Sequence, residues 1–287
     1  MERASFMLPV QVGCSYNGCL FCSLFKHLKF RVLPLEQVKE ELERVKALGG
    51  DPAGVFLGDG SAFDLEASRL LEICAMIKEA FPSCRRIAMD SSVRGIASKS
   101  NEELAALAAA GVKRLYVGIE TGLDDVLSFM KKGADSEDAR RETARLRKAG
   151  IEYAAHIMTG VAGEGRGLEN AEATAALLNE TRPAAICNFS MFVGRRAPLW
   201  EKVMDGSFRP SPVQEAMEEE KRLLELLDIK ADYDGFQDII EVRTRGRLPE
   251  DKEKMLAKLS AAIARYKDRP AVYTCTEAPD GSLFPRP

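Results

Sequence analysis

Six short apolar runs, each followed by a turn and then an amphipathic stretch, limit what this chain can fold into more than any other feature. The runs cover residues 5–12, 54–57, 86–90, 113–119, 151–158 and 184–193. Between them the apolar residues recur at helical spacing. Leu35, Val38, Leu42, Val45 and Leu48 mark one helix, stopped by Gly49-Gly50. Leu65 to Phe81 ends before Pro82, a third helix runs from a cap at Asn101 to Gly111, and Ser136 to Lys148 stops at Gly150. A short helix near Asp124–Met130 and one over Leu168–Glu180 complete the set. Such alternation predicts parallel strands joined by right-handed crossovers. Six units in roughly 200 residues are too few for a closed eight-stranded barrel. The expected fold is therefore α/β, a partial (β/α)6 barrel, with a doubly wound open sheet left open by periodicity alone. In both, functional groups collect at the C-terminal ends of the strands.

After Trp200 the pattern changes. Ser211 to Leu227 and Glu250 to Lys267 read as helices, separated by an Asp- and Gly-containing connection, and Arg269 to Pro287 reads as an irregular tail. The expected organisation is a core domain over 1–200 and a C-terminal helical extension over 201–287. A net charge of −3 gives no global reason to expect nucleic acid. The N-terminus does not read as a signal peptide, and no apolar run approaches a membrane span. Seven cysteines, three of them clustered, fit a reducing compartment, so the expectation is a cytoplasmic monomer.

The clustered cysteines are Cys14, Cys19 and Cys22, in a Cys-x4-Cys-x2-Cys array just after the first strand. Three thiolates on one tight loop suit a four-iron cluster and leave one iron corner open. The alternative is a structural zinc site. Zinc prefers four ligands in a closed shell, and His27 lies five residues beyond Cys22. Cys74, Cys84, Cys187 and Cys275 show no paired spacing and read as structural.

An open three-cysteine loop after the first strand of a six-fold β/α repeat resembles the radical S-adenosylmethionine (AdoMet) superfamily. The likeness is to its subgroup of methylthiotransferases, the elongator catalytic subunit and oxygen-independent coproporphyrinogen oxidases. The superfamily's commonest spacing is Cys-x3-Cys-x2-Cys, and this chain carries one extra residue in the first gap. The resemblance implies that Cys14, Cys19 and Cys22 hold a [4Fe–4S] cluster whose open iron is chelated by AdoMet. It places Phe21 against adenine and Gly58-Asp59-Gly60-Ser61, after the second strand, near the AdoMet amino group.

Further junctions extend the resemblance. Gly118-Ile119-Glu120-Thr121-Gly122 is similar to a family motif at the end of the fourth strand, which implies cofactor contacts for Gly118, Glu120 and Thr121. The competing reading of Glu120 is a structural pair with Arg94 or Arg114. Gly160-Val161-Ala162-Gly163-Glu164 is similar to the motif bordering adenine, with Gly160 and Gly163 as its contacts. Glu164 serves there either as a ligand contact or as a helix N-terminal charge. Arg94 is read either as a counter-charge for the AdoMet carboxylate or as a surface ion pair. His156, on the fifth strand, is either a pocket-facing proton donor or a core histidine, and Glu120 and His156 are the candidate catalytic residues. Arg195 and Arg196 are read as anion contacts or a solvated turn, and the Arg243-x-Arg-x-Arg247 run as a solvated face without interleaved aromatics.

The activity that the resemblance implies is reductive cleavage of AdoMet to a 5′-deoxyadenosyl radical that abstracts a substrate hydrogen. The electron comes from a flavodoxin- or ferredoxin-like donor. The length leaves no room for the extra domains of the methylthiotransferases, so a small-molecule substrate is expected first and tRNA modification second. A non-enzymatic zinc or iron–sulfur module is the remaining alternative.

Overall fold

The computed structural model describes residues 4–237, 240, 242–273 and 275. Its main sheet has eight strands in the order β1-β4-β5-β6-β7-β8-β9-β10. These are β1 (Phe6–Pro9), β4 (Gly54–Gly58), β5 (Arg86–Ser92), β6 (Val112–Glu120), β7 (Glu152–Thr159), β8 (Ala185–Ser190), β9 (Ala231–Gln237) and β10 (Val242–Leu248). Two further strands, β2 (Gln11–Val12) and β3 (Arg31–Val32), pair antiparallel as a separate ribbon. Strand order follows chain order throughout, as consecutive crossovers of one hand produce. The fold is α/β and mostly parallel, in keeping with a partial barrel.

Contacts divide the chain into two units, Met1–Asn17 with Leu24–Gly118 and Arg141–Ala154, and Gly18–Ser23 with Ile119–Arg140 and Ala155–Pro287. In the first unit β1, β4, β5 and β6 pair parallel. Helices α1 (Leu35–Ala47), α2 (Ala67–Ala80), α3 (Val93–Ala97) and α4 (Asn101–Ala109) make the returns. β4 is buried along nearly its whole length because parallel strands are covered on both faces. Leu8, Val55, Leu57, Ile87, Met89 and Leu115 are almost entirely removed from water, and this apolar burial is the main favourable term holding the unit together.

The expected cap of α4 shifts by one residue. Ser100, not Asn101, accepts from the Glu103 N–H, and the Glu103 carboxylate accepts from the Ser100 N–H. This reciprocal box satisfies two amides at once, which a lone Asn at 101 does not.

In the second unit β8 and β9 pair parallel and β9 and β10 antiparallel. Its helices are α5 (Asp124–Phe129), α7 (Gly167–Thr181), α8 (Leu199–Met204), α9 (Val213–Leu226) and α10 (Lys252–Tyr266), while α6 (Ser136–Ala149) links β6 to β7 through residues of both units. The two late helices stand where periodicity places them. The connection between them does not: it forms β9 and β10, which join the main sheet. Tyr233, Thr244 and Leu248 are buried in those strands, but intervening Asp, Gly and Arg residues disguise the period of two. Of the tail, residues 276–287 lie outside the described residues, whereas Tyr273 and Cys275 bridge back to Pro212 and Val193.

Replacing Ser100 by Ala should lower stability by about 1 kcal/mol, read as an earlier urea midpoint with an unchanged slope.

Candidate active site

Cys14, Cys19 and Cys22 are in no disulfide, and each is partly exposed. Cys14 belongs to the first unit and Cys19 and Cys22 to the second, and the covalent chain keeps the three within nine positions. Among the described residues, no three His, Cys, Asp or Glu side chains form a ready cage for a single metal ion. A cubane takes each thiolate on a different iron corner, so it does not demand the tight tetrahedron that one zinc does. His27, the fourth ligand of the zinc alternative, is exposed.

Within the first unit the start of the cysteine loop is braced by the turn after β4. The Asp59 carboxylate accepts from the N–H groups of Gly13 (3.3 Å) and Gly60 (2.9 Å). The Gln11 amide donates to the carbonyls of Gly13 and Asp59. Gly60 has φ +52°, and a Cβ on it would stand 2.4 Å from the Gly13 carbonyl oxygen. Glycine is required there by close approach as well as by backbone angle. Gly58 differs, since a Cβ on it would meet nothing within 4 Å. Packing does not demand that glycine, and the open space at the strand end suits a ligand that approaches the backbone. The chemistry of the donor set, three thiols within nine positions, suits a [4Fe–4S] cluster, and the opening at Gly58 suits AdoMet.

Asp64 is the residue of this region that sequence reasoning missed. Its carboxylate accepts from the hydroxyls of Ser15 (3.0 Å), Ser61 (2.7 Å) and Ser92 (3.1 Å). It thereby joins the cysteine loop, the β4 turn and the end of β5. Ser61 and Ser92 are thus engaged in holding loops. No local signal marks Asp64 as a junction, because two of its three partners, Ser15 and Ser92, are distant in sequence. The Arg94 guanidinium lies 4.4 Å from the centre of the Tyr16 ring, in a cation–π contact with the cysteine loop itself. Asp90, beside Tyr116 in the β5–β6 register, is pushed up to about 7 by burial and then by the Asp59 charge.

In the second unit the remainder of the cysteine loop is pinned by Leu20. Its N–H donates to the Met130 carbonyl (2.9 Å), and its carbonyl accepts from the Leu199 N–H (2.9 Å). Its side chain enters a cluster with Val126, Met130, Val161, Met191, Leu199 and the tail's Cys275, against which Phe21 packs. The two residues between Cys19 and Cys22 therefore face inward.

Glu120 ends β6 in the left-handed region, φ +65°. Its carboxylate pairs with Lys132 at 2.6 Å, with both side chains nearly buried. Neither expected arginine partner is used: Arg114 pairs with Glu152 (2.8 Å), and Arg94 stacks on Tyr16. Lys132 Nζ also stands 5.9 Å from the Phe21 ring centre, so one cation links the cysteine loop to the end of β6. The left-handed backbone at a non-glycine residue costs about 1–2 kcal/mol, and such strain concentrates at functional sites.

Thr121 and Gly160 are held from behind. Asn170 on α7 accepts from the Thr121 hydroxyl and donates to Glu219 of α9 (2.5 Å), while Glu219 also accepts from the Gly160 N–H (2.8 Å). A Cβ on Gly122 would stand 2.3 Å from the Ala173 carbonyl, so that glycine serves helix packing. Gly163, at φ +84°, packs against Phe208 and the Arg209 carbonyl. Glu164 pairs with Arg209 (2.9 Å), and the carboxylate that accepts from the N–H groups of Gly165 (2.8 Å) and Gly167 (3.0 Å) at the start of α7 is Glu215.

His156 is half-buried and meets the Phe189 ring edge-on at 5.3 Å. Burial first, and then the Lys132 charge, pull it down to about 4, so it is neutral near pH 7. Asn188 faces away from this surface: it is fully buried, accepts from the Thr159 N–H (3.2 Å) and donates to the Tyr233 hydroxyl (3.1 Å). Arg195 and Arg196 are exposed on their turn.

With this geometry in view, comparison with known proteins is decisive on family. Residues 8–178 match the family model described as Radical SAM superfamily. The chain belongs to that superfamily. Its members are enzymes that use a [4Fe–4S] cluster and AdoMet. Over 240 residues it is 29% identical to a tRNA-2-methylthio-N(6)-dimethylallyladenosine synthase of Chlorobium phaeobacteroides, covering 80% of this chain and 50% of that protein. It is 24% identical over 118 residues to a tRNA uridine(34) acetyltransferase of Methanocaldococcus jannaschii, covering 41% of this chain and 22% of that one. The chain thus spans half the length, or less, of these two curated relatives. In fold it resembles a radical AdoMet methyltransferase of Kitasatospora setae solved with cobalamin and a [4Fe–4S] cluster, at TM-score 0.57 and 20% identity over 70% of this chain and 39% of that one. Among the described residues no helix is long and apolar enough to cross a membrane.

Two predictions follow from these side chains. Glu219 is raised by burial to about 8, and Glu220 and Asp90 to about 7, from ordinary values of 4.5, 4.5 and 3.8. Between those limits the folded chain binds more protons than the unfolded one, so stability falls as pH rises. Melting temperature should be lower at pH 8.5 than at pH 6, and a flat or rising profile would contradict the assignment. Gly60→Ala should displace the cysteine loop, lowering iron per chain after reconstitution while far-ultraviolet circular dichroism stays native.

Proposed function

We propose that this chain is a radical AdoMet enzyme that holds its cluster on Cys14, Cys19 and Cys22 and cleaves AdoMet reductively. The observation that supports the reading best is the array of three cysteines within nine positions, none of them in a disulfide and each partly exposed. When bound, the cluster supplies one electron and AdoMet supplies the 5′-deoxyadenosyl group that takes a hydrogen from substrate.

The chain's own residues orient and enclose these groups. Phe21 offers a ring beside the cysteines, and Lys132 beside that ring brings Glu120 to the same region. Glu120, a carboxylate at the end of β6, is suited to accept from ribose hydroxyls. Gly58 and Gly60 leave backbone exposed to an amino group, and Gly118 and Thr121 shape the end of β6. Gly160 and Gly163 set the turn that would border adenine. Arg94, stacked on Tyr16, contributes positive charge beside the loop. His156, neutral at pH 7, is suited to a hydrogen bond with substrate rather than to carrying charge.

The electron donor in this reading is a flavodoxin- or ferredoxin-like protein, and the working compartment is the cytoplasm. The substrate is a small molecule in the first reading. Base modification in tRNA is the second, favoured by the names of the two curated relatives.

Replacing Cys14, Cys19 or Cys22 by Ala should abolish the brown chromophore after anaerobic reconstitution. Cys74→Ala should leave it, since Cys74 is buried in α2 and raised to about 12 by that burial. Reduced enzyme should release 5′-deoxyadenosine from AdoMet. A preparation that holds the cluster and never cleaves AdoMet would sink the proposal.

A further inference from the structure

Along β7 to β10 the side chains separate into two sets. Ile157, Thr159, Asn188, Tyr233, Gln237 and Thr244 are buried. The opposite alternation carries His156, Phe189, Phe236 and Arg243, each partly open to solvent. These four form one continuous row across four neighbouring strands. His156 meets Phe189 edge-on at 5.3 Å, Phe189 stacks on Phe236 at 5.7 Å with planes 7° apart, and Arg243 lies 4.4 Å over Phe236. The β-ladder fixes the row, since Phe189 is paired with Phe236 and Phe236 with Arg243.

The charges in the row are cancelled. Asp234 takes two hydrogen bonds from Arg243, at 2.8 and 2.6 Å, and so fixes its guanidinium beside the ring. His156 is neutral near pH 7. The row therefore offers partly open aromatic rings, engaged with one another, with a polar imidazole at one end and a neutralised guanidinium at the other. Lys132, whose charge is felt by His156, also reaches Glu120 and Phe21. His156, Phe189 and Phe236 stand in the C-terminal halves of β7, β8 and β9, the end of an α/β sheet where sites collect.

We infer that the row His156–Phe189–Phe236–Arg243 is the substrate-binding surface, and that it takes a planar, uncharged heteroaromatic ring. Aromatic side chains favour flat π partners over saturated ones of equal size, in offset or edge-to-face packing that a partly open ring still allows. The imidazole adds a hydrogen bond to a ring nitrogen or exocyclic group. An anionic substrate finds no unpaired cation in the row, because Asp234 occupies Arg243. The isolated run of arginines seen in the sequence thus acquires an aromatic partner, Phe236, that only sheet pairing brings to it. This inference rests on the proposed AdoMet chemistry for its direction, but the row's ligand class does not depend on it.

The test uses holoenzyme reconstituted with cluster and saturated with AdoMet, so that nucleoside probes do not report the cofactor site. Saturation-transfer NMR is run with adenosine, uridine, indole and, as a saturated control, cyclohexanecarboxamide, and bulk tRNA binding is measured by filter retention. At least one aromatic probe should bind and the saturated ring should not. Phe236→Leu and Phe189→Leu should weaken that binding roughly ten- to a hundredfold, with Phe236→Tyr retaining it and melting temperatures near wild type. If tRNA retention falls in the same variants, the ring is presented by RNA; if only the free probes respond, the substrate is a small molecule. Equal binding of the saturated ring, or free-ring and tRNA binding both indifferent to Phe236→Leu and Phe189→Leu, overturns the inference. Release of 5′-deoxyadenosine from the same preparation reports on the AdoMet chemistry separately, so that failure of one reading is not mistaken for failure of the other.

Discussion

Parallel pairing is the constraint on which the rest of this protein depends. A parallel strand must be entered from the same end as its neighbour, so the chain has to cross the sheet between strands, and helices make that crossing without stranding backbone polar groups. In the first unit this brings the turns after β1, β4 and β5 to one end of the sheet. The end of the ladder then presents loops whose hydrogen bonds are made with one another. Asp59 with Gly13, and Asp64 with Ser15, Ser61 and Ser92, are such bonds.

Loops that carry a cofactor need support behind them, and here the support is polar and buried. Glu219 joins the turn at Gly160 to Asn170 and, through it, to Thr121. A carboxyl group without a nearby cation is costly to ionise in that setting, which is why it is pushed up to about 8. The same network leaves the opposite face of β7 to β10 free of such duties. That face carries the aromatic row, so supporting and ligand-facing groups are separated by the period-two alternation of the strands.

Much of the architecture was legible because strand and helix periods differ and glycines mark the junctions. All six expected strands of the core are present, with boundaries moved by a few residues. The hairpin of β9 and β10 was not legible: Asp232 and the three arginines of β10 are partly or fully exposed, and buried Asp234, Thr244 and Tyr233 do not spell an apolar run. The cysteine loop was read from spacing alone. Lys132 was not found as the partner of Glu120, because twelve residues of turn and helix separate them and no local rule connects them. Asp64, Asn170 and Glu219 were missed for the same reason.

What the sequence determined by itself is the chemistry on offer: three thiols on one loop, glycines at strand ends, and the α/β alternation that gathers strand ends. Covalent order and side-chain period are local properties, and they survive without knowledge of neighbours. Tertiary structure alone decided which groups are spent on support and which remain for ligands. It paired Glu120 with Lys132, turned Asp59 and Ser61 to the loops, and laid Phe236 beneath Arg243. Those outcomes depend on strand register and helix packing, which bring together residues that the chain itself keeps far apart.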